Sequence, residues 1–453
     1  MLLTWQNTGG SAVQISPLSF PEILDYWAAD SGITQADATE RVSGWAPLKG
    51  SDSLAQATAA NQPILLPYSG TNYLWLPKVN GNYAATPDSV PLSITGDIDI
   101  RMRVSMDDWT PAAIQAPMSK YGATKSWIVY VNTNGTIGWQ FSPDGTADVQ
   151  KASTAAPVVS NFAAIWLRVT MDVDNGAGGY DVKYWTAADQ ADIPAAASFT
   201  QLGATVTTAT ATQIFDSGAA VCVSNYGNPN DGAYPFGGKV YRTAIYNGID
   251  GTKVFDANFT QVAEGSSTFT ESSSNAATVT INSTGAKPAQ VVGSQQVLFD
   301  GTAFTLSTGA ITLNQPISLV LVGKQITWTG NDLIVDGNTA NTLGLKQTTG
   351  TPKVSINAGA AVAENANWTL NANACVGLVL NGASSQLQVN LGTATTGDAG
   401  AGNPSGLFVG SNATPAAFGN FQTKAIALCA SALSQARLNQ LIRAMAAQYG
   451  IAV

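Results

Sequence analysis

An all-β chain of two tandem sandwiches, closed by a single helix, is the fold that this 453-residue sequence predicts. Three observations predict it. The 44 glycines, set among abundant Thr, Ser, Asn and Ala, supply turns and short strands rather than long helices. Apolar residues alternate with period two in segment after segment. The order of features in the first half is partly repeated in the second.

The elements follow in chain order. Met1 to Phe20 carries apolar anchors, Leu2, Trp5, Val13, Ile15 and Leu18, spaced by Gly-Gly and polar residues, and reads as an N-terminal arm. Two roles for it stand side by side: docking onto a neighbouring subunit, or adding a strand to its own sandwich. Residues 21–262 make the first sandwich. Ile98-Asp99-Ile100-Arg101-Met102-Arg103-Val104 and Leu167-Arg168-Val169-Thr170-Met171-Asp172-Val173 alternate as strands with one buried face. The second of these runs through Asp174-Asn175-Gly176-Ala177-Gly178-Gly179, which tolerates positive φ, into Tyr180-Asp181-Val182-Lys183-Tyr184-Trp185, a hairpin. Residues 263–285, with Gly265-Ser266-Ser267 and Ser272-Ser273-Ser274-Asn275, have the composition of a linker or long surface loop and place the domain boundary.

Residues 286–453 make the second sandwich. Ile317-Ser318-Leu319-Val320-Leu321-Val322 is a strand, and Asn381-Gly382 opens a turn between Leu378-Val379-Leu380 and Leu387-Gln388-Val389. The repeat shows where Phe236-Gly237-Gly238-Lys239-Val240-Tyr241 is echoed by Phe418-Gly419-Asn420-Phe421-Gln422-Thr423. Near the end, Leu438, Leu441, Ile442 and Met445 fall at helical spacing, with Ser431 or Ser434 to cap the start and Gly450 to stop it.

Composition narrows function. With 20 basic against 29 acidic side chains the net charge is −9, and no Lys/Arg-rich stretch occurs, so nucleic acid is not an expected partner. The chain has no histidine, which removes imidazole acid–base chemistry and His-ligated zinc. Cys222, Cys375 and Cys429 are too far apart for a metal pair and odd in number, so buried free thiols are expected. The start shows no signal-peptide pattern, and no apolar run reaches about 18 residues, so neither export by the usual route nor membrane insertion is expected.

Trp166-Leu167-Arg168-Val169-Thr170, the Asp-Asn-Gly hairpin and Phe236-Gly237-Gly238-Lys239-Val240-Tyr241-Arg242 together resemble concanavalin A-like, laminin-G-type jelly rolls. Gly377-Leu378-Val379-Leu380-Asn381-Gly382, Gly406-Leu407-Phe408-Val409-Gly410-Ser411 and the closing helix resemble the same family in the second half. The lead-in Trp27-Ala28-Ala29-Asp30, Gly44-Trp45 and Gln56-Ala57-Thr58-Ala59-Ala60-Asn61-Gln62-Pro63 is similar to the opening of such modules in tailed-phage structural proteins. The resemblance implies two tandem jelly-roll sandwiches and a virion protein made in the host cytoplasm: a tail-tip, fibre or head-decoration subunit. Its partners would be other virion proteins, further copies of itself and host surface polysaccharide. A bacterial polysaccharide-binding adhesin is the second reading and a glycan depolymerase the third.

Candidate sites follow from the fold. A glycosidase needs paired carboxyls, about 5–5.5 Å apart in retaining enzymes. The glutamates are Glu22, Glu40, Glu264, Glu271 and Glu364, none in a Glu-x-Asp-x-x-Glu pattern, so no enzyme is expected. Asp97 and Asp99 share the strand face opposite Ile98 and Ile100 and read as a solvated surface. Trp109, Tyr121, Trp127, Tyr130 and Trp139 are the candidates for a glycan-stacking platform, with sandwich core as the competing reading; Trp127 and Val129 fall on one face and Ile128 and Tyr130 on the other. Asp172, Asp174 and Asn175 could offer oxygens to Ca²⁺, the one cofactor in keeping with laminin-G relatives, although turn chemistry explains the same residues without an ion.

Overall fold

The computed structural model describes residues 15–35, 40–224, 234–348, 352–365, 368–414 and 416–453. Alternating segments pair into four sheets, and the chain divides into two units: an inserted unit, Tyr68–Ser294, and a split unit made of Met1–Pro67 and Gln295–Val453. Each unit is a sandwich of two sheets.

In the inserted unit the front sheet runs in the order Thr200–Gln201, Tyr180–Ala187, Ala164–Asp172, Ile98–Met106, Gly237–Asn247, Tyr73–Pro77, Gln290–Val292, with Thr252–Asn258 also paired to Gly237–Asn247. The back sheet runs from Val149–Ala152 through Ile137–Phe141, Lys125–Val131, Gln115–Tyr121, Val221–Val223 and Tyr83–Thr86 to Thr278–Asn282 and Thr268–Thr270. Period-two alternation sends Ile98, Ile100, Met102 and Val104 into the core between the sheets, with Trp127, Val129, Trp139 and Val169. Burial of each such side chain contributes roughly 1.5–3 kcal/mol, set against the entropy of ordering the chain.

The split unit repeats this plan. Its front sheet runs Thr395–Gly397, Ser385–Val389, Ala374–Leu380, Ile317–Gln325, Asn420–Cys429, Gln296–Asp300, Ile64–Leu66, with Ile23–Ala28 also paired to Asn420–Cys429. Gly237–Asn247 and Asn420–Cys429, the echoed sequences, occupy the same place in their sheets. Both expected hairpins form, with Asp172 opposite Asp181 and Val379 opposite Gln386.

Two boundaries differ from those read in the sequence. Residues 263–285 are not a linker: Thr268–Thr270 and Thr278–Asn282 are strands of the back sheet, and Val279 and Ile281 reach its core. Their outward residues are Thr and Asn, so the alternating pattern hid inside a composition typical of loops. Residues 21–67 do not belong with the body that follows them. Ile23–Ala28 lies beside Asn420–Cys429 where, in the inserted unit, Thr252–Asn258 lies beside Gly237–Asn247. Ile64–Leu66 likewise lies beside Gln296–Asp300 where Gln290–Val292 lies beside Tyr73–Pro77. Pairing across hundreds of residues leaves no mark in the local pattern.

The C-terminal helix is Gln435–Gln448. Ser434 caps it, its Oγ accepting the Arg437 N–H, and Gly450 follows the last turn at φ 64°. Leu438, Leu441, Ile442 and Met445 are buried against Val320, Val322, Cys375 and Ala425 on the outer face of the split unit's front sheet. Gly377 makes room there: a Cβ at that position would lie 2.8 Å from Ile442 Cδ1 and 3.2 Å from Leu438 Cδ1. Arg437 Nε and Nη2 hold the Glu22 carboxylate at 2.8 and 2.9 Å, and the Arg437 guanidinium lies 4.2 Å from the Phe20 ring centroid. Gly377→Val, placing branched carbon against the helix, is expected to destabilise the split unit by about 1–3 kcal/mol. A lowered urea midpoint measures it, and an unchanged midpoint would refute this account of the helix seat.

Candidate functional site

The five aromatic candidates do not form an exposed platform. Trp109, Trp127 and Trp139 lie in the sandwich core, and Tyr121 and Tyr130 form a smaller cluster with Ala116 and Ile128 on the opposite face of the back sheet. All five are at most 6% exposed. Trp127 and Trp139 stack at 5.8 Å, and Trp139 Nε1 donates to Met171 Sδ at 3.2 Å. Tyr130 packs over Gly138, where a Cβ would strike its ring, and the Tyr121 hydroxyl bonds Asp148 and accepts from Gln140 Nε2. Cross-strand packing consumed the faces that a sugar would need.

The chemistry-bearing face is instead the outer face of the inserted unit's front sheet. Residues that alternate away from the core there are Asp99, Arg101 and Arg103 on one strand, Arg168 and Thr170 on the next, and Asp181, Lys183 and Trp185 on the third. Asp99 points away from the core as expected but is fully buried rather than solvated. Arg168 grips it with Nε at 3.0 Å and Nη2 at 2.8 Å, and Arg101 with Nε at 3.3 Å and Nη2 at 2.7 Å. Both guanidiniums also reach Asp250, and Arg101 Nη1 donates to the Pro194 carbonyl at 3.3 Å. The segment around Pro194 and Phe199 thus closes over Asp99, which alternation alone does not reveal.

Rings complete this face. The Arg101 guanidinium lies 4.4 Å from the Tyr246 centroid, and that of Arg168 lies 5.5 Å from both Phe199 and Trp185. Trp185 is only partly buried, and its Nε1 donates to Thr170 Oγ1 at 3.2 Å. It stands directly across from Gln201 and Arg168. Sequence reasoning passed over Trp185 although the signal was present: it occupies the polar register of a strand whose Tyr180, Val182 and Tyr184 face inward.

Further along, Arg103 holds Asp189 at 2.6 and 3.0 Å, and Arg242 holds Asp256 through two bonds of 2.7 Å, with Lys253 on the same carboxylate. Burial pushes the Asp256 carboxyl up, but the hydrogen bonds from Arg242 and Lys253 outweigh it and hold the group below its ordinary range. Asp99, Asp250, Asp189 and Asp256 are thus each committed to an arginine, which stiffens this part of the face and offsets its charge.

The calcium candidates serve the hairpin turn. Asp172 Oδ1 accepts the Asp174 N–H, Asp174 Oδ1 that of Gly176, and Asn175 Oδ1 those of Ala177 and Gly179. Burial, with Asp97 and Asp181 nearby, raises the Asp172 carboxyl. Among the described residues no group of three acidic, Cys or His side chains is arranged to hold a metal. Of the anchoring candidates, Leu2, Trp5 and Val13 lie outside the described residues, while Ile15 and Leu18 are exposed at 50% and 43%. The three cysteines are free and buried.

No protein-family model and no curated protein sequence matches the chain. The solved structures it resembles include laminin G-type domains and carbohydrate-binding modules. Domains LG4–5 of the mouse laminin α1 chain align at 9% identity and TM-score 0.27, over 81% of this chain and 92% of that one. A Bacteroides ovatus protein described as carbohydrate-binding aligns at 11% identity and TM-score 0.31, over 47% of this chain and 58% of its own, under two thirds of its length. The CBM40 of the Ruminococcus gnavus IT-sialidase aligns at 16% identity and TM-score 0.26, over 38% of this chain and 90% of that one. The fold class itself rests on the sheet order described above.

The ion pairs of the outer face set a pH dependence. Asp256 is held below its unfolded value of 3.8, so its contribution is present above that value and is lost as pH falls through the folded one. Asp256→Asn is expected to lower stability at neutral pH, leaving Arg242 and Lys253 without their shared partner, and to flatten the loss on acidification. Denaturant midpoints taken from pH 7 down to about 3 would show it; parallel curves for both proteins would exclude Asp256 as the group responsible.

Proposed function

We propose that this chain is a non-catalytic structural protein on the exterior of a tailed-phage particle, as tail tip, fibre or head decoration, and that its inserted unit holds host surface polysaccharide against Trp185. The observation that carries the glycan reading is the partly exposed Trp185 ring on a sheet face whose neighbouring arginines are already paired with carboxylates. A pyranose stacks its apolar face on such a ring, while Lys183 and Gln201 beside it offer hydrogen bonds to hydroxyls. The pairing of Arg101 and Arg168 with Asp99 and Asp250 favours a neutral sugar over an anionic one, since no guanidinium there is left for a carboxylate.

The virion reading is supported by the lead-in around Trp27, Trp45 and Gln56 to Pro63, which resembles tailed-phage modules. Its partners are other virion proteins and further copies of the chain. Trp185→Ala is expected to weaken retention of the full chain on immobilised host polysaccharide by about tenfold, equivalent to some 1.4 kcal/mol, with Trp185→Phe intermediate. Equal retention of all three proteins would remove the site from this face, and intact particles that antibodies to the chain fail to label would remove it from the virion exterior.

A further inference from the structure

The two units are closed by segments of opposite provenance. The inserted unit's body, Tyr73 to Asn247, is completed by the segment that directly follows it: the turn Gly248 to Gly251 leads into Thr252–Asn258, then Thr268–Thr270, Thr278–Asn282 and Gln290–Val292. The split unit's body, Gln296 to Cys429, is followed by the helix, and the same sheet positions are filled from residues 23–66: Ile23–Ala28, Val42–Trp45, Leu54–Ala55 and Ile64–Leu66. The donated residues include Trp27 and Trp45, both fully buried in the split unit's core. Between donor and body lie the residues of the inserted unit, Tyr68–Ser294, reached through short connectors at 67–72 and 293–295.

We propose that residues 15–67 are a strand donor that a second copy of this chain can accept, so that copies link head to tail. Every contact that the donor makes with Gln295–Val453 is available on another copy, because the donor is joined to that body only through the rest of the chain. Such an exchange is heterologous: each copy gives its donor to one neighbour and receives from another, building open chains or rings. It also reproduces between copies what residues 252–292 already do within one, closing a body with the segment that begins the next. The cost is reopening strands that bury Tyr26, Trp27 and Trp45, so exchange is set when chains fold and not by mixing folded ones. It rests on the fold alone, whatever the outer face binds.

Ile23 lies directly opposite Cys429, both at most 3% exposed, and opposed antiparallel residues stand within disulfide reach. In a single full chain, Ile23→Cys with native Cys429 is expected to form an internal disulfide, which verifies the register. Full-length Ile23→Cys/Cys429→Ser is then refolded together with the native chain at about 1 mM, comparable with the effective concentration of a tethered segment. A covalent dimer whose peptide map links residue 23 of one chain to Cys429 of the other is expected, its yield falling on dilution. If the single chain fails to cross-link, the donor does not lie where described. If the single chain links but the mixture gives no such dimer at any concentration, exchange does not occur. Either result overturns the proposal.

Discussion

A sandwich covers only one face of each of its sheets, and what becomes of the other face of the front sheet governs much of this molecule. At equivalent positions the two units answer differently. Arg101 stands between Arg168 and Ala244, whereas Val320 stands between Gly377 and Ala427. The apolar version is sealed by the amphipathic helix, which removes it from water by ordinary hydrophobic burial. The charged version is sealed by pairing each guanidinium with a carboxylate and laying aromatic rings over them. Removing one member of such a network strands its partner in a place with little water, so these residues act as a set.

Much of the fold was legible because it is written locally. Ile98 to Val104 alternates without interruption, Asn175-Gly176 and Asn381-Gly382 mark their turns, and Leu438, Leu441, Ile442 and Met445 trace one helix face. The repeat was legible through Phe236 and Phe418. Which body the residues 21–67 would join was not, because Ile23–Ala28 reads as a buried strand wherever it pairs. The strands within 263–285 were lost for a related reason: Thr and Asn on the outward register look like loop when only Phe269, Val279 and Ile281 point inward.

The site was less legible than the fold. A cluster of aromatics in sequence, Trp109 to Trp139, reflects consecutive strands of one sheet and the loop before them, with rings packed on both faces of that sheet, so density along the chain pointed to packing and not to a surface. The informative ring was solitary. Trp185 stands out only when its strand is read by register, as a large apolar residue among Asp181 and Lys183. Asp99 shows the complementary limit: alternation correctly aims it away from the core, yet its burial depends on Pro194, Phe199 and Asp250, which come from elsewhere in the chain.

The pairing of Ile23 with Cys429 also fixes how the molecule bears tension. Those residues sit at the same end of their antiparallel ladder, and the chain leaves that end in both directions. A pull applied ahead of Ile23 and beyond the helix first meets the helix and its Arg437–Glu22 clasp, then opens the ladder one rung at a time, as a zipper yields rather than as a lap joint shears. The inserted unit lies off this load path until every strand from Ile23–Ala28 to Ile64–Leu66 has parted from the split unit. The helix seat is therefore the first barrier such a pull meets, and the unit bearing Trp185 keeps its shape while the clasp holds.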